Sequence, residues 1–143
     1  MMKAKIVALT GNFSVASQIA ADDISQIADA GYRTLINNRP DDEEPGQLQS
    51  ADARRQAEAL GIAYHYLPFT AASLTTAEIV SFENLMARTD GPILAHCRSG
   101  TRCYLLWAAA EMRRGAGSAE SLIQQAAERG FDIAALRRFS TTS

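Results

Sequence analysis

The chain has 143 residues, 47% apolar and 21% charged, with 14 basic and 16 acidic side chains. That length favours one compact domain with its own core, and a formal charge of -2 speaks against a nucleic-acid or membrane-surface binder. No apolar run approaches the roughly 18 residues of a transmembrane helix, the start MMKAKIVALTGNFSV is too short in apolar content for a signal-peptide core, and two cysteines make no disulfide framework; a cytoplasmic protein is expected.

Along the chain, Ile6-Val7-Ala8-Leu9 and Phe13-Ser14-Val15 read as short strands around a Thr10-Gly11-Asn12 turn. Ala21 to Ala30 reads as a helix, with Ile24, Ile27 and Ala28 on one face and Gly31 as its stop. Arg33 to Asn37 is a strand rich in β-formers, and Asn38 to Gly46 is a loop with two prolines and four consecutive acids. A helix over Ser50 to Leu60 leads through Gly61 to a strand over Ile62 to Leu67. Thr75-Thr76-Ala77-Glu78 is a capping-box signature for a helix to about Arg88. Pro92 to His96 is a short buried strand, and Thr101 to Arg114 is a helix stopped by Gly115-Ala116-Gly117. Ser118 caps a further helix to Arg129, and Asp132 caps a last short one through Arg138. Tyr104, Leu105, Trp107, Ala108 and Met112 have the spacing of a core-facing helical stripe. Strands alternating with helices predict an α/β domain with a mostly parallel twisted sheet of four to five strands flanked by helices. Ligands in such sheets bind beyond the carboxyl ends of the strands, where Cys97 and the Asn38–Gly46 loop both fall.

The stretch His96-Cys97-Arg98-Ser99-Gly100-Thr101-Arg102 joins a strand to a helix. Loop amides and the first N–H groups of the helix can converge there on one anion. Gly100 permits a positive φ or a close backbone approach. A cysteine at the base of such a nest is stabilised as thiolate, its pKa falling from about 8.5 to roughly 3.5–7.5. Cys97 is therefore the candidate nucleophile; Arg98 and Arg102 add fixed positive charge, at least one of them facing the bound group, because arginine's planar fork suits tetrahedral oxyanions, and Ser99, Gly100 and Thr101 complete the anion cradle.

This loop resembles the active-site loop shared by cysteine-dependent phosphatases and rhodanese-type sulfurtransferases. Asn12-Phe13-Ser14-Val15, Ile36-Asn37-Asn38-Arg39-Pro40-Asp41, Glu44-Pro45-Gly46-Gln47 and Tyr64-His65-Tyr66-Leu67-Pro68 extend the resemblance over about residues 10 to 115. They are similar to the phosphatase-like domain found alone or fused to bacterial β-lactamase-fold hydrolases of sulfur metabolism. The resemblance implies a fold like the dual-specificity phosphatases, with Arg102 as the catalytic arginine.

Two features turn the chemistry toward sulfur. Phosphatases of this type place five residues between cysteine and arginine, whereas this chain has four, the rhodanese length. Their general acid follows a preceding strand, and here Leu67-Pro68-Phe69-Thr70-Ala71-Ala72-Ser73-Leu74 contains no carboxylate. The expected activity is thus sulfur transfer: Cys97 takes sulfur from a small anionic donor such as thiosulfate and passes the persulfide to a thiol such as glutathione. The alternative is a phosphatase with a Cys97 phosphoenzyme, with Asp41 or Asp42 as substitute acid. A third reading is an anion- or redox-sensing module without turnover. No cofactor, metal, nucleic acid or membrane partner is expected, since two distant histidines and two cysteines make no zinc spacing.

Other residues have two readings each. His96 either supports the thiolate by bonding the loop backbone or satisfies buried carbonyls. Arg39 either binds an anionic substrate at the mouth of the site or pairs with Asp41 to Glu44, which are most simply a solvated loop. Cys103 stands where phosphatases usually carry Ser or Thr; it is either a small buried residue or a thiol able to attack an oxidised Cys97.

Overall fold

A computed structural model describes residues 2–140. The elements run β1 (Ile6–Ala8), β2 (Phe13–Ala16), α1 (Asp23–Asp29), β3 (Thr34–Asn37), α2 (Ser50–Ala59), β4 (Ala63–Tyr66), α3 (Thr76–Ala87), β5 (Ile93–His96), α4 (Thr101–Arg113), α5 (Ala119–Glu128) and a final 3₁₀ turn (Ala134–Phe139). The sheet order is β1-β2-β5-β3-β4. Only β1 is antiparallel; β2, β5, β3 and β4 are parallel neighbours. The expected α/β architecture is therefore present.

Strand alternation assigns each helix to a face. Phe13, Val15, Ile36, Ile93 and Ala95 pack into one cluster with α3, α4, α5 and the final turn. Ala16, Leu35, Tyr64 and Leu94 point the other way, against Ile24 and Ile27 of α1 and Ala53 and Ala57 of α2. Every residue of β2, β3 and β5 is buried, as strands covered on both faces require. Tyr104, Leu105, Leu106 and Ala108 of α4 are buried, each large side chain worth about 1.5–3 kcal/mol. Trp107 and Met112 are only partly covered; Trp107 stacks on Phe13 with ring centroids 6.5 Å apart.

The helix starts follow the sequence signals. Thr75 accepts from the Ala77 amide, and its hydroxyl lies 2.5 Å from Glu78 Oε2, so the capping box closes through the hydroxyl rather than a backbone amide. Ser118 accepts from Ser121 N–H at 3.1 Å, and Asp132 accepts from Ala134 N–H at 3.0 Å. No described helix is long and apolar enough to cross a membrane.

Candidate active site

The carboxyl ends of β2, β3, β4 and β5 deliver four chain segments to one edge of the sheet. Side chains of the segment after β3 stitch them together. Asn38 N–H donates to the His96 carbonyl at 2.9 Å, and Asn38 Nδ2 donates to the Leu67 carbonyl at 2.8 Å. Asn37 Oδ1 accepts from the Arg39 amide at 2.8 Å.

After β5, Cys97 N–H donates to the Ala16 carbonyl at 3.2 Å and holds the start of the loop against β2. The chain then folds back over the sulfur. Gly100 caps α4 with φ 94°, and a Cβ there would stand 3.1 Å from Phe131 Cε1 and 3.5 Å from the Ala16 carbonyl oxygen. Left-handed backbone and lack of room both demand glycine. This conformation aims Gly100 N–H at Cys97 Sγ, 3.1 Å away.

Cys97 is completely buried, yet its pKa is lowered to about 6. The Cys103 side chain is the largest cause; burial opposes it, and the backbone amides of Cys103, Gly100 and Arg102 add to the lowering. Cys103, also buried, moves the opposite way: burial and the neighbouring thiolate push its thiol well above the ordinary value. One cysteine thus stays protonated and donates to the other. Cys103 fills the place of the hydroxyl that the resemblance implies, as a weaker donor.

Of the other cradle residues, Arg98 and Ser99 are exposed and Thr101 is half-buried. Ser99 Oγ lies 2.9 Å from Thr101 Oγ1, and the Arg98 carbonyl accepts from the Gln18 amide at 3.0 Å. Arg102 reaches across to the β3 loop. Its NH1 donates to Glu43 Oε2 at 2.9 Å and to the Phe69 carbonyl at 3.3 Å; its NH2 donates to Glu43 Oε1 at 2.8 Å.

The bond between Glu43 and Arg102 is what sequence reasoning missed. Glu43 also accepts from Arg39 Nε at 2.8 Å, so one carboxylate joins both arginines. These guanidinium groups, Arg102 first, hold its pKa down at about 2. Arg39 is 1% exposed and further bonds Gln18 Oε1 at 3.1 Å and Glu44 Oε1 at 3.2 Å. Of its two expected roles, the ion pair is the one formed, and Arg39 stands behind Glu43. Asp41 is drawn away: its oxygens accept from the Ser50 amide at 2.8 Å and Ser50 Oγ at 2.6 Å, at the start of α2. The acids are therefore not a plain solvated loop. The available signal was Glu43 four residues beyond Arg39, at the carboxyl end of a strand.

His96 departs from its supporting role. It is buried, and neither ring nitrogen completes a hydrogen bond. Burial drives its pKa down to about 4, the Cys97 backbone opposing this only in part, so the ring is neutral. Its main chain does the positioning, as strand β5 and as acceptor for Asn38.

Residues 5–114 match the family described as beta-lactamase hydrolase-like protein, phosphatase-like domain. The chain belongs to this family. A beta-lactamase hydrolase-like protein of Xylella fastidiosa (strain Temecula1) is 35% identical over 129 residues, covering 90% of this chain; the chain spans only 30% of that relative's length. The crystal structure of a candidate phosphatase from Neisseria meningitidis is 32% identical, with TM-score 0.82, covering 93% of this chain and 94% of that one. The fold also matches P. aeruginosa TpbA solved with phosphotyrosine, at TM-score 0.70 and 17% identity, covering 95% of this chain and 85% of that one.

These relationships overturn the expectation of sulfur transfer, because the family and the Neisseria relative are of phosphatase type. The spacing argument failed for a physical reason. Counting residues between Cys97 and Arg102 leaves out the amides of Arg102 and Cys103, which also act on the sulfur from the first turn of α4. The missing carboxylate after β4 constrains the leaving group; it does not say which atom is transferred.

Proposed function

We propose that this phosphatase-like domain hydrolyses phosphate monoesters through a Cys97 phosphoenzyme. The observation that carries the reading is the buried Cys97 sulfur, its pKa lowered to about 6, under the Gly100 amide at 3.1 Å. At neutral pH this group is a thiolate, the nucleophilic form.

In the first step the thiolate attacks phosphorus. The S–P bond forms as the P–O bond to the leaving group breaks, and the leaving oxygen keeps the electron pair. The loop amides and Arg102 face the oxygens of the transferring group, where preorganised donors act most strongly. Glu43 occupies NH1 and NH2 of Arg102 on one side. In that role it fixes the guanidinium plane and is a positioning residue. In the second step water attacks phosphorus, the S–P bond breaks, and phosphate leaves with both protons of the water while the thiolate is restored. Exposed Arg98 at the rim adds positive charge for an incoming anion.

The test is hydrolysis of an aryl phosphate by the intact chain and by Cys97→Ser. Turnover should fall to background in the variant, and rapid acid quench of the wild type should show one phosphoryl group added to Cys97. Equal rates in the two proteins would remove the proposal.

A further inference from the structure

We propose that this chain hydrolyses phosphates whose leaving group departs as a stable anion, aryl and acyl phosphates, and discriminates against alkyl esters, because the site works without a general acid. The inference rests on the phosphatase reading and narrows its substrate class.

One wall of the site is the segment after β4. It touches the site: the Phe69 carbonyl accepts from Arg102 NH1 at 3.3 Å, and Phe69 N–H donates to the Asn38 carbonyl at 3.2 Å. From Leu67 to Ala77 it carries no Asp or Glu. Nor is it built as a swinging lid. Thr70 N–H donates to Ser73 Oγ at 2.9 Å, and Ser73 N–H returns to Thr70 Oγ1 at 3.1 Å. From the far side, the Arg138 guanidinium donates to the carbonyls of Ala71 and Leu74, both at 2.9 Å. The hydroxyls in this segment are too weakly acidic to serve as general acids near neutral pH.

Each carboxylate of the opposite loop has a partner away from the sulfur. Asp41 caps α2 through both oxygens, and Asp42 Oδ1 accepts from Gln49 Nε2 at 3.0 Å. Glu44 is held by Arg39. Glu43 touches Arg102 but gives both oxygens to guanidinium groups, which keep it ionised and so an acceptor only. His96 is sealed inside the fold as a neutral ring, and Cys103 already donates to Cys97. Among the described residues, no group facing the cup holds a proton to give at neutral pH. The P–O bond must then break with the pair leaving on an unprotonated oxygen, which a phenolate or carboxylate accepts and an alkoxide does not.

The experiment is a leaving-group series with the intact chain. kcat/KM, which reports steps through P–O cleavage, is measured for aryl phosphates whose phenols range in pKa from about 7 to about 10, the upper end being that of tyrosine. An acyl phosphate and an alkyl phosphate are added. Across the aryl series kcat/KM should fall by about 10²–10⁴-fold, the range a general acid would otherwise supply. Acyl phosphate should be turned over, and alkyl phosphate should stay at background. Glu43→Gln should lower every member and keep the same slope. A series flat within about tenfold, with turnover still dependent on Cys97, overturns this inference and leaves the phosphatase reading standing. A slope that steepens in Glu43→Gln also overturns it, since Glu43 would then have been donating the proton. If no member shows Cys97-dependent turnover, the phosphatase reading fails and the inference fails with it.

Discussion

The loops after β5 and β3 meet at one edge of the sheet but hold charge by different means. After β5 the negative group is a sulfur, and backbone amides of Gly100, Arg102 and Cys103 surround it together with one thiol. After β3 the negative group is the Glu43 carboxylate, and two guanidinium side chains surround it. A cradle made of backbone depends on dihedral angles, so one glycine decides it. A cluster made of side chains depends on which residues the fold brings together, so the local Arg39–Glu43 spacing announces only half of it. The two are joined by Arg102, which starts in one loop and ends on the carboxylate of the other.

Substitutions separate the two designs. The largest effect is expected from Gly100→Ala. It strains a left-handed residue by about 1–3 kcal/mol and presses on Phe131, turning the 3.1 Å amide away from the sulfur. Loss of one such donor should cost about 10²–10³ in kcat/KM; melting temperature and aryl phosphate kinetics, measured together, check both parts. If activity survives intact, the cradle is not set by its backbone.

Glu43→Ala tests the side-chain design. Arg102 loses its brace and buried Arg39 one of its partners, at a stability cost of about 1.5–3 kcal/mol. A misplaced guanidinium should lower kcat/KM by up to about 10²-fold. The ion pair also gives stability a sign with pH. Because the folded-state pKa of Glu43 is depressed to about 2, its contribution is complete above the ordinary carboxylate range and is lost as pH falls toward 2. Wild type should therefore lose more stability across that window than Glu43→Gln does.

The smallest effect belongs to Cys103→Ala. With Cys103 protonated, ultraviolet thiolate absorbance in wild type should rise with pH around a midpoint of about 6 and report Cys97 alone. Removing the largest cause of that lowering should move the midpoint up, whereas Cys103→Ser, which keeps a donor, should move it less. An unmoved midpoint in the alanine variant would assign the thiolate to backbone and helix alone.

The elements were legible because their signals are local. Thr75 and Ser118 cap the helices they precede, and short stretches built on Phe13 and Val15, on Leu35 and Ile36, and on Ile93 to Ala95 mark β2, β3 and β5. The reactive cysteine was legible for the same reason, as His96 to Arg102 is one continuous segment. Arg39 and His96 were less so. Each sits at a strand end, and whether such a side chain faces substrate, an acid or the core depends on residues far along the chain.

By itself the sequence determined the α/β alternation, the strand-to-helix loop with Cys97 at its base, and the lack of a carboxylate between Leu67 and Ala77. Only the tertiary structure decided that Glu43, 59 residues from Arg102, would clamp it. It also decided that Asp41 would be spent on α2, and that Cys103 would donate to Cys97 rather than titrate beside it. Hydrophobic periodicity and turn chemistry act within a few residues. The Arg102–Glu43 ion pair, and with it the depressed pKa of Glu43, arises between segments that only the sheet order β2-β5-β3-β4 brings to the same edge.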